Sequence, residues 1–432
     1  MAWQPLPLNM DDNAPTLICY PFLRVECPVD VGPWRVVPLF GAINVIEPVP
    51  AYGDGSDDSW ASDAFRENAT DFLKRFYCTH NPLSKERIKH PAIVVKHGSG
   101  ADGEPPTELE RTALKTAVTF AVLDTNPYRS ETRLRHLWSV VSEHLDYWEM
   151  PLSGDGTVAE DIGFRVRNRH ACTFNDDSFG KYRVFAPRCM PEPPIVRPNR
   201  FLASAMYRTV AASTVDSFQL KTAVLWWAKS WSNQDSLGIE ERIVMCNTAF
   251  EAVVGSPQDS GQTRTELNAL FQRAHAVWAG PDDREDAARL KNAERRRAAA
   301  GQSADDRRDG KWGMGWHPKT SGQFCQWHEK FSKLRNNCAH RGDISRDEAN
   351  TVDVALKAYD EMSNPYCDSP VEDRLGRSRP ISVRVLDDAE RILREAIKAK
   401  LIICNDDPDT DQETRSCEAK SIISGSPRFR SE

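Results

Sequence analysis

Hydrophobic spacing divides the chain into two regimes. Up to about residue 190 the apolar residues fall in short runs rich in β-branched and aromatic side chains: TLICYPFLRVECPV, WRVVPLFGAINVI, PAIVVKH, GFRVRNRH and KYRVFAP. Runs of this length and make-up predict strands. Two stretches among them carry helical spacing instead. SWASDAFRENATDFLKRFY sets Phe65, Ala69, Phe72 and Phe76 at steps of three and four. TELERTALKTAVTFAVL opens at Thr107 with Glu110 three residues on, the pattern of a capping box.

From Phe201 onward the spacing is helical. GIEERIVMCNTAFEAVVG has apolar positions at 239, 243, 246, 250, 253 and 254 and stops at Gly255 before Ser-Pro. TELNALFQRAHAVWAG follows, then DDREDAARLKNAERRRAAA, polar around most of its circumference. GQFCQWHEKFSKLRNNCAH lines up Phe324, Trp327, Phe331, Leu334 and Cys338 in one apolar stripe. Gly342 is a natural stop for that helix. Ser345 with Glu348 three residues on opens another, running from Arg346 to about Met362. VLDDAERILREAIKAKLII predicts a last helix. Between the two regimes, APRCMPEPPIVRPNR (186–200) holds five prolines, which fix φ and continue neither a helix nor a central strand.

The expectation is therefore an α+β protein. A mixed α/β domain spans 1–190, its role (sensing or regulation) not set by the pattern, and a Pro-rich linker spans 191–200. An all-α helical bundle occupies 201–404, and the polar stretch 405–432 is expected to be a disordered tail.

Composition narrows the function. The 432 residues are 40% hydrophobic and 28% charged, as in ordinary globular proteins. A net charge of −7 excludes a chain that coats nucleic acid with its whole surface, so any such contact needs a local basic patch. The eleven cysteines include no C-x-x-C pair, so neither a zinc ribbon nor a thioredoxin-like motif is expected and the thiols read as free and reduced. MAWQPLPLNMDD lacks the basic start and apolar core of a signal peptide, and no stretch approaches a membrane-spanning length of apolar residues. A cytoplasmic protein with no membrane partner is the expectation.

The candidate chemistry lies in LRNNCAHRGDIS (334–345). The spacing R-x4-H occurs three times, at Arg75–His80, Arg165–His170 and Arg335–His340, so spacing alone decides nothing. Only the third has Asn directly after Arg, an apolar stripe before it, a helix stop just past His and a capped helix downstream. Five residues turn an ideal helix through about 500°, which leaves Arg335 and His340 about 140° apart. They act together only if the helix breaks near His340 or a second copy supplies the partner group.

In this context Arg335-Asn336 followed by His340 resembles the R-x4–6-H signature of the HEPN superfamily. ERIVMCNTAFEAVVG resembles the first core helix of its Apea-like branch, whose motif commonly ends in His-Gly. Here Arg341 stands between His340 and Gly342. The likeness covers residues 219–363 and leaves the N-terminal part unexplained. It implies a metal-independent endoribonuclease without cofactor, an effector of bacterial antiviral defence or of a toxin-type system. It also implies a homodimer with two motifs facing each other, and a phage or regulatory trigger met by the N-terminal domain.

The residue types suit that chemistry. RNA brings its own nucleophile, the 2′-OH. A histidine titrates near neutrality and can accept its proton or donate one to the leaving 5′-oxygen. A permanently charged arginine can hold the phosphate as negative charge builds. These roles fall to His340 and Arg335, with Asn336 orienting either by hydrogen bonding. Residues 329–346 hold Lys or Arg at 330, 333, 335, 341 and 346 against Glu329 and Asp343, so Lys330, Lys333 and Arg341 are candidate RNA contacts. Two other readings stand beside this one: a non-catalytic module that binds RNA or a nucleotide, and a structural interaction protein. In the latter, Arg335, His340 and Arg341 simply complement the negative end of a helix dipole.

Other signals carry less. GSGADG (98–103) matches G-x-G-x-x-G, but Glu104-Pro105-Pro106 delay the helix that a dinucleotide site needs directly on its glycines. DGSDDSWASD lacks the glycine and distal glutamate of a calcium loop. The run Arg295–Arg297 reads as a solvated helix face, Trp226, Trp227 and Trp231 read as packing, and His136 with His144 lack a third metal ligand.

Overall fold

In a computed structural model of the chain, residues 16–38, 76–81, 84–87, 91–96, 106–125, 140–151, 165–166, 174–176, 181–185, 195–232, 237–255, 260–279, 321–363, 381–407 and 412–424 are described. The N-terminal part is built on a six-stranded antiparallel sheet. Its order is β3 (Val29–Val31), β4 (Trp34–Pro38), β7 (Ala92–Lys96), β1 (Thr16–Tyr20), β8 (Trp148–Pro151) and β9 (Arg165–Val166). A four-stranded sheet joins β10 (Phe174–Asp176), β11 (Lys181–Phe185), β5 (Phe76–Asn81) and β6 (Ser84–Arg87), with β11 and β5 parallel. The runs TLICY, WRVVP, AIVVK, RV and KYRVF thus form strands as their make-up predicts.

The helix expected over residues 59–77 does not reach its end. Phe76 and Tyr77 begin β5, where the run Phe-Tyr-Cys-Thr pairs with strands on both sides, and aromatic and β-branched residues favour that setting over a helix end. The rest of that stretch lies outside the described residues. So do GSGADG, the acidic loop, Arg295–Arg297 and His136.

Helix α1 (Glu108–Leu123) forms as expected, with Thr107 and Glu110 exchanging both hydrogen bonds of a capping box at 3.2 and 2.7 Å. It packs against α2 (Arg200–Ala211), and α2 in turn lies against β3. The turn before β4 passes so close to α2 that a side chain on Gly32 (φ +62°) would sit 2.3 Å from the Tyr207 ring. The Tyr207 hydroxyl there accepts from Trp34 Nε1 at 3.3 Å.

The helical part continues with α3 (Val215–Ser230), α4 (Ile239–Val254), α5 (Ser260–Ala279), α6 (Ser321–Arg341), α7 (Arg346–Ser363) and α8 (Ile381–Cys404). Helices α4 and α5 each pack on both α6 and α8, which closes a ring of four; α3 covers α4, and α7 covers α6 and α8. Trp227 and Trp231 are buried, as packing residues should be, and Trp226 is half-buried under Lys229, whose Nζ lies 4.4 Å from the ring centre. No helix among the described residues is long and apolar enough to cross a membrane.

Two segments depart from expectation. The proline-rich stretch is not a free linker where it is described. Ile195–Val196 form β12, parallel to β2 (Arg24–Val25), and the Val196 carbonyl accepts from Glu26 N at 2.8 Å. Asn199 caps α2 through Phe201 N and Leu202 N, and its amide donates to the carbonyls of Ser421 and Ile422 at 3.1 and 3.0 Å. Those carbonyls belong to α9 (Gln412–Ser424), a helix in the stretch expected to be disordered. It folds because Ala419 and Ile422 drop into a site made by α5, α2 and α8, and Ser416 Oγ donates to the Trp278 carbonyl at 2.8 Å. A single apolar core runs from Ile18 on the sheet to Ile422 on α9.

Candidate functional site

The buried side of α6 is the predicted stripe: Phe324, Trp327, Phe331, Leu334 and Cys338 are all buried. It packs on α4 through aromatic contacts, with Phe250 edge-on to Trp327 and Phe331 at 6.1 Å and Trp327 stacked on Phe331 at 5.3 Å. That packing sets the rotation of α6 and decides where every motif residue points.

Arg335 lies at the margin of the stripe, half-buried and facing α4. Its Nη2 is ion-paired with Glu251, whose carboxylate also accepts from Asn247 Nδ2 at 2.8 Å. Asn247 is 1% exposed, so the pair is braced from inside the bundle. Burial nevertheless outweighs Arg335 and Asn247 and holds the Glu251 carboxyl above its ordinary value. Two turns earlier on the same side, His328 is sealed in the core against Phe250, 5.8 Å between ring centres. Its Nδ1 is 3.4 Å from Ser332 Oγ, and its Nε2 has no partner among the described residues. Burial, with Arg264 and Arg335 nearby, pushes His328 down to about 3, so the ring is neutral at physiological pH.

Asn336 and His340 take the other side. Both are exposed, and their i,i+4 spacing stacks them on one face of α6 with Lys333. Lys333 is bonded to Glu329 Oε1 at 2.7 Å, Arg264 takes the other carboxylate oxygen at 3.0 Å, and Lys330 is half-buried. The helix does not break at His340. It continues through Arg341 and stops at Gly342, whose φ is +72° and whose N–H bonds the Cys338 carbonyl at 2.9 Å. Arg335 and His340 therefore keep the divergence of about 140° that an unbroken helix imposes. One protomer does not bring them together.

Beyond Gly342, Ser345 and Glu348 form the predicted capping box at 3.2 and 3.4 Å. The Glu348 carboxylate also accepts from Asn337 Nδ2 at 2.5 Å and is ion-paired with Arg341. Asn247, Glu251 and His328 escaped sequence reasoning, and Asn337, which reads in sequence as an aid to the helix C-terminus, instead reaches Glu348 on α7. The one local signal was the i,i+4 pair Asn247 and Glu251, two polar residues set among the apolar positions of the second half of α4. Among the described residues no group of three or more His, Cys, Asp or Glu side chains is placed to hold a metal ion.

The chain matches no protein-family profile, no curated protein and no solved structure.

Proposed function

We propose that the helical part is a HEPN-type endoribonuclease that cleaves RNA without a metal, acting as a homodimer in bacterial antiviral defence or a toxin-type system. The observation that carries the reading is the α6 surface. Lys333, Asn336 and His340 share one solvent-facing side, and Arg335, on the side of α6 that faces α4, is held by a braced carboxylate. An exposed imidazole at a helix end is free to exchange protons with a substrate. An arginine fixed by a carboxylate enters a phosphate complex with little ordering left to do.

In the reaction, the 2′-OH attacks the neighbouring phosphorus and the bond to the 5′-oxygen breaks. The products are a 2′,3′-cyclic phosphate and a 5′-hydroxyl. His340 handles the proton, Arg335 the phosphate charge, Asn336 the orientation, and Lys330 and Lys333 the flanking phosphates. Because α6 is unbroken, His340 of one copy works with Arg335 of the other. The sheet-bearing N-terminal part then senses the trigger or restrains the nuclease.

The Glu251–Arg335 pair also favours a second reading, in which Arg335 only pins α6 to α4 and the exposed face binds RNA without cutting it. Metal-free cleavage assays with product-end analysis separate the two. The ribonuclease yields cyclic phosphate ends, and His340→Ala, a change at an exposed position, lowers the rate by about 100-fold or more without altering stability. Salt-sensitive binding that survives His340→Ala, with no cyclic phosphate from the wild type, leaves only the binding module. Expression toxicity that is equal in wild type, Arg335→Ala and His340→Ala removes the nuclease reading.

A further inference from the structure

The corner between α6 and α7 holds more connections than a change of direction requires. Gly342 ends α6 and the Ser345–Glu348 box starts α7, which already gives each helix end a cap. Glu348 does more: one of its carboxylate oxygens receives both Asn337 Nδ2 and Arg341 Nη2, two residues four apart on the last turns of α6. His340 sits between them in sequence and stays exposed. The Arg341 side chain is 52% exposed and that of Glu348 27%, so the pair contributes little to folding stability. What it does is fix an orientation: two donors on adjacent turns, converging on one carboxylate of the next helix, hold the His340 turn against rotation and fraying.

We infer that Glu348 is a positioning residue of the proposed ribonuclease: acting through Asn337 and Arg341, it sets the direction from which the His340 imidazole meets RNA. The inference rests on the ribonuclease reading. It also accounts for the residue between His340 and Gly342. Arg341 extends α6 by one position and supplies the brace, so its guanidinium is committed to Glu348 rather than to a phosphate. Hydrogen bonds from Arg341 and Ser345 hold the Glu348 carboxyl below its ordinary value, so the acceptor stays charged at neutral pH.

The test uses the full-length chain, a labelled single-stranded RNA and a chelator. Steady-state cleavage is measured for wild type, Glu348→Gln, Arg341→Ala, the double variant, and the charge swap Glu348→Arg with Arg341→Glu. RNA affinity is measured against salt in a His340→Ala background. Positioning predicts that Glu348→Gln and Arg341→Ala each lower kcat roughly 10- to 100-fold. KM, RNA affinity, salt dependence and melting temperature stay unchanged, the double variant is no worse than either single, and the swap recovers part of the loss. Unchanged kcat in Glu348→Gln overturns the inference. So does weaker RNA binding in Arg341→Ala with a salt slope reduced by about one, which makes Arg341 a phosphate contact. Failure of the ribonuclease reading looks different: the wild type itself produces no cleavage.

Discussion

His328 couples the helical core to pH. Buried and neutral down to about pH 3, it would take up a proton at its ordinary value of 6.5 once the chain unfolds. The unfolded state therefore binds the extra proton between those values. The contribution of His328 is complete above pH 6.5 and is lost as the pH falls toward 3, at about 1.4 kcal/mol per pH unit. Glu251 acts with the opposite sign. Its raised carboxyl makes the fold take up a proton more readily than the unfolded chain, so its contribution falls as the pH rises from 4.5 and offsets part of the slope. Urea unfolding from pH 7 to pH 4 should show stability dropping on the acid side, and His328→Leu should flatten that drop. An acid limb of equal slope in the variant would place the titrating group elsewhere. Neither effect is legible in sequence. His328 sits within a stripe of apolar residues and looks like one more core position. Its sealing depends on Phe250, which is 78 residues away, and Glu251 finds Arg335 across 84. The capping boxes at Thr107 and Ser345 were legible because both partners lie within one turn.

Among the elements, two glycines with left-handed φ separate conformational strain from collision. A side chain at Gly342 meets nothing within 4 Å, so Gly342→Ala carries only the backbone cost of about 1 kcal/mol, and Gly342→Asn less. At Gly32 the same change adds a clash with the Tyr207 ring and should cost clearly more. Chemical denaturation of Gly342→Ala and Gly32→Ala gives the comparison, and equal losses would mean that the β3–β4 turn yields freely. The helices of the second half were readable because their apolar periodicity is set by the faces they bury. The last helix was not. Its sequence, QETRSCEAKSIIS, has too few apolar residues to declare a side, and α9 forms because a site between α5, α2 and α8 receives Ala419 and Ile422. Residues 195–200 were misjudged for a related reason. Proline content reports what a segment avoids, not that Ile195–Val196 will find β2 as a partner.

At the level of the molecule, the sheet and the helical ring share one core, with α1 and α2 packed between them. Sequence reasoning put a boundary near residue 190 because the apolar period changes there. A change of period marks a change of element type, and both types can bury their faces on each other. Removing residues 406–432 should therefore weaken the whole fold. It strips the cover from the α5 and α2 surfaces and leaves the two Asn199 donors without their carbonyls, a loss of about 3 kcal/mol or more. Urea unfolding followed by fluorescence and by circular dichroism should shift together to lower midpoints in the truncated chain. An unchanged midpoint would mean that α9 is not integral to the core.

The reach of Asn199 across more than 220 residues also bears on when the fold can close. During synthesis the strands and the helices up to α5 leave the ribosome well before residues 412–424 do. Until α9 emerges, the Asn199 amide at the start of α2 lacks its two carbonyl partners and the surface of α5, α2 and α8 that α9 covers stays open. The junction between the sheet and the helices thus gains its last contacts only once residues 412–424 have been made.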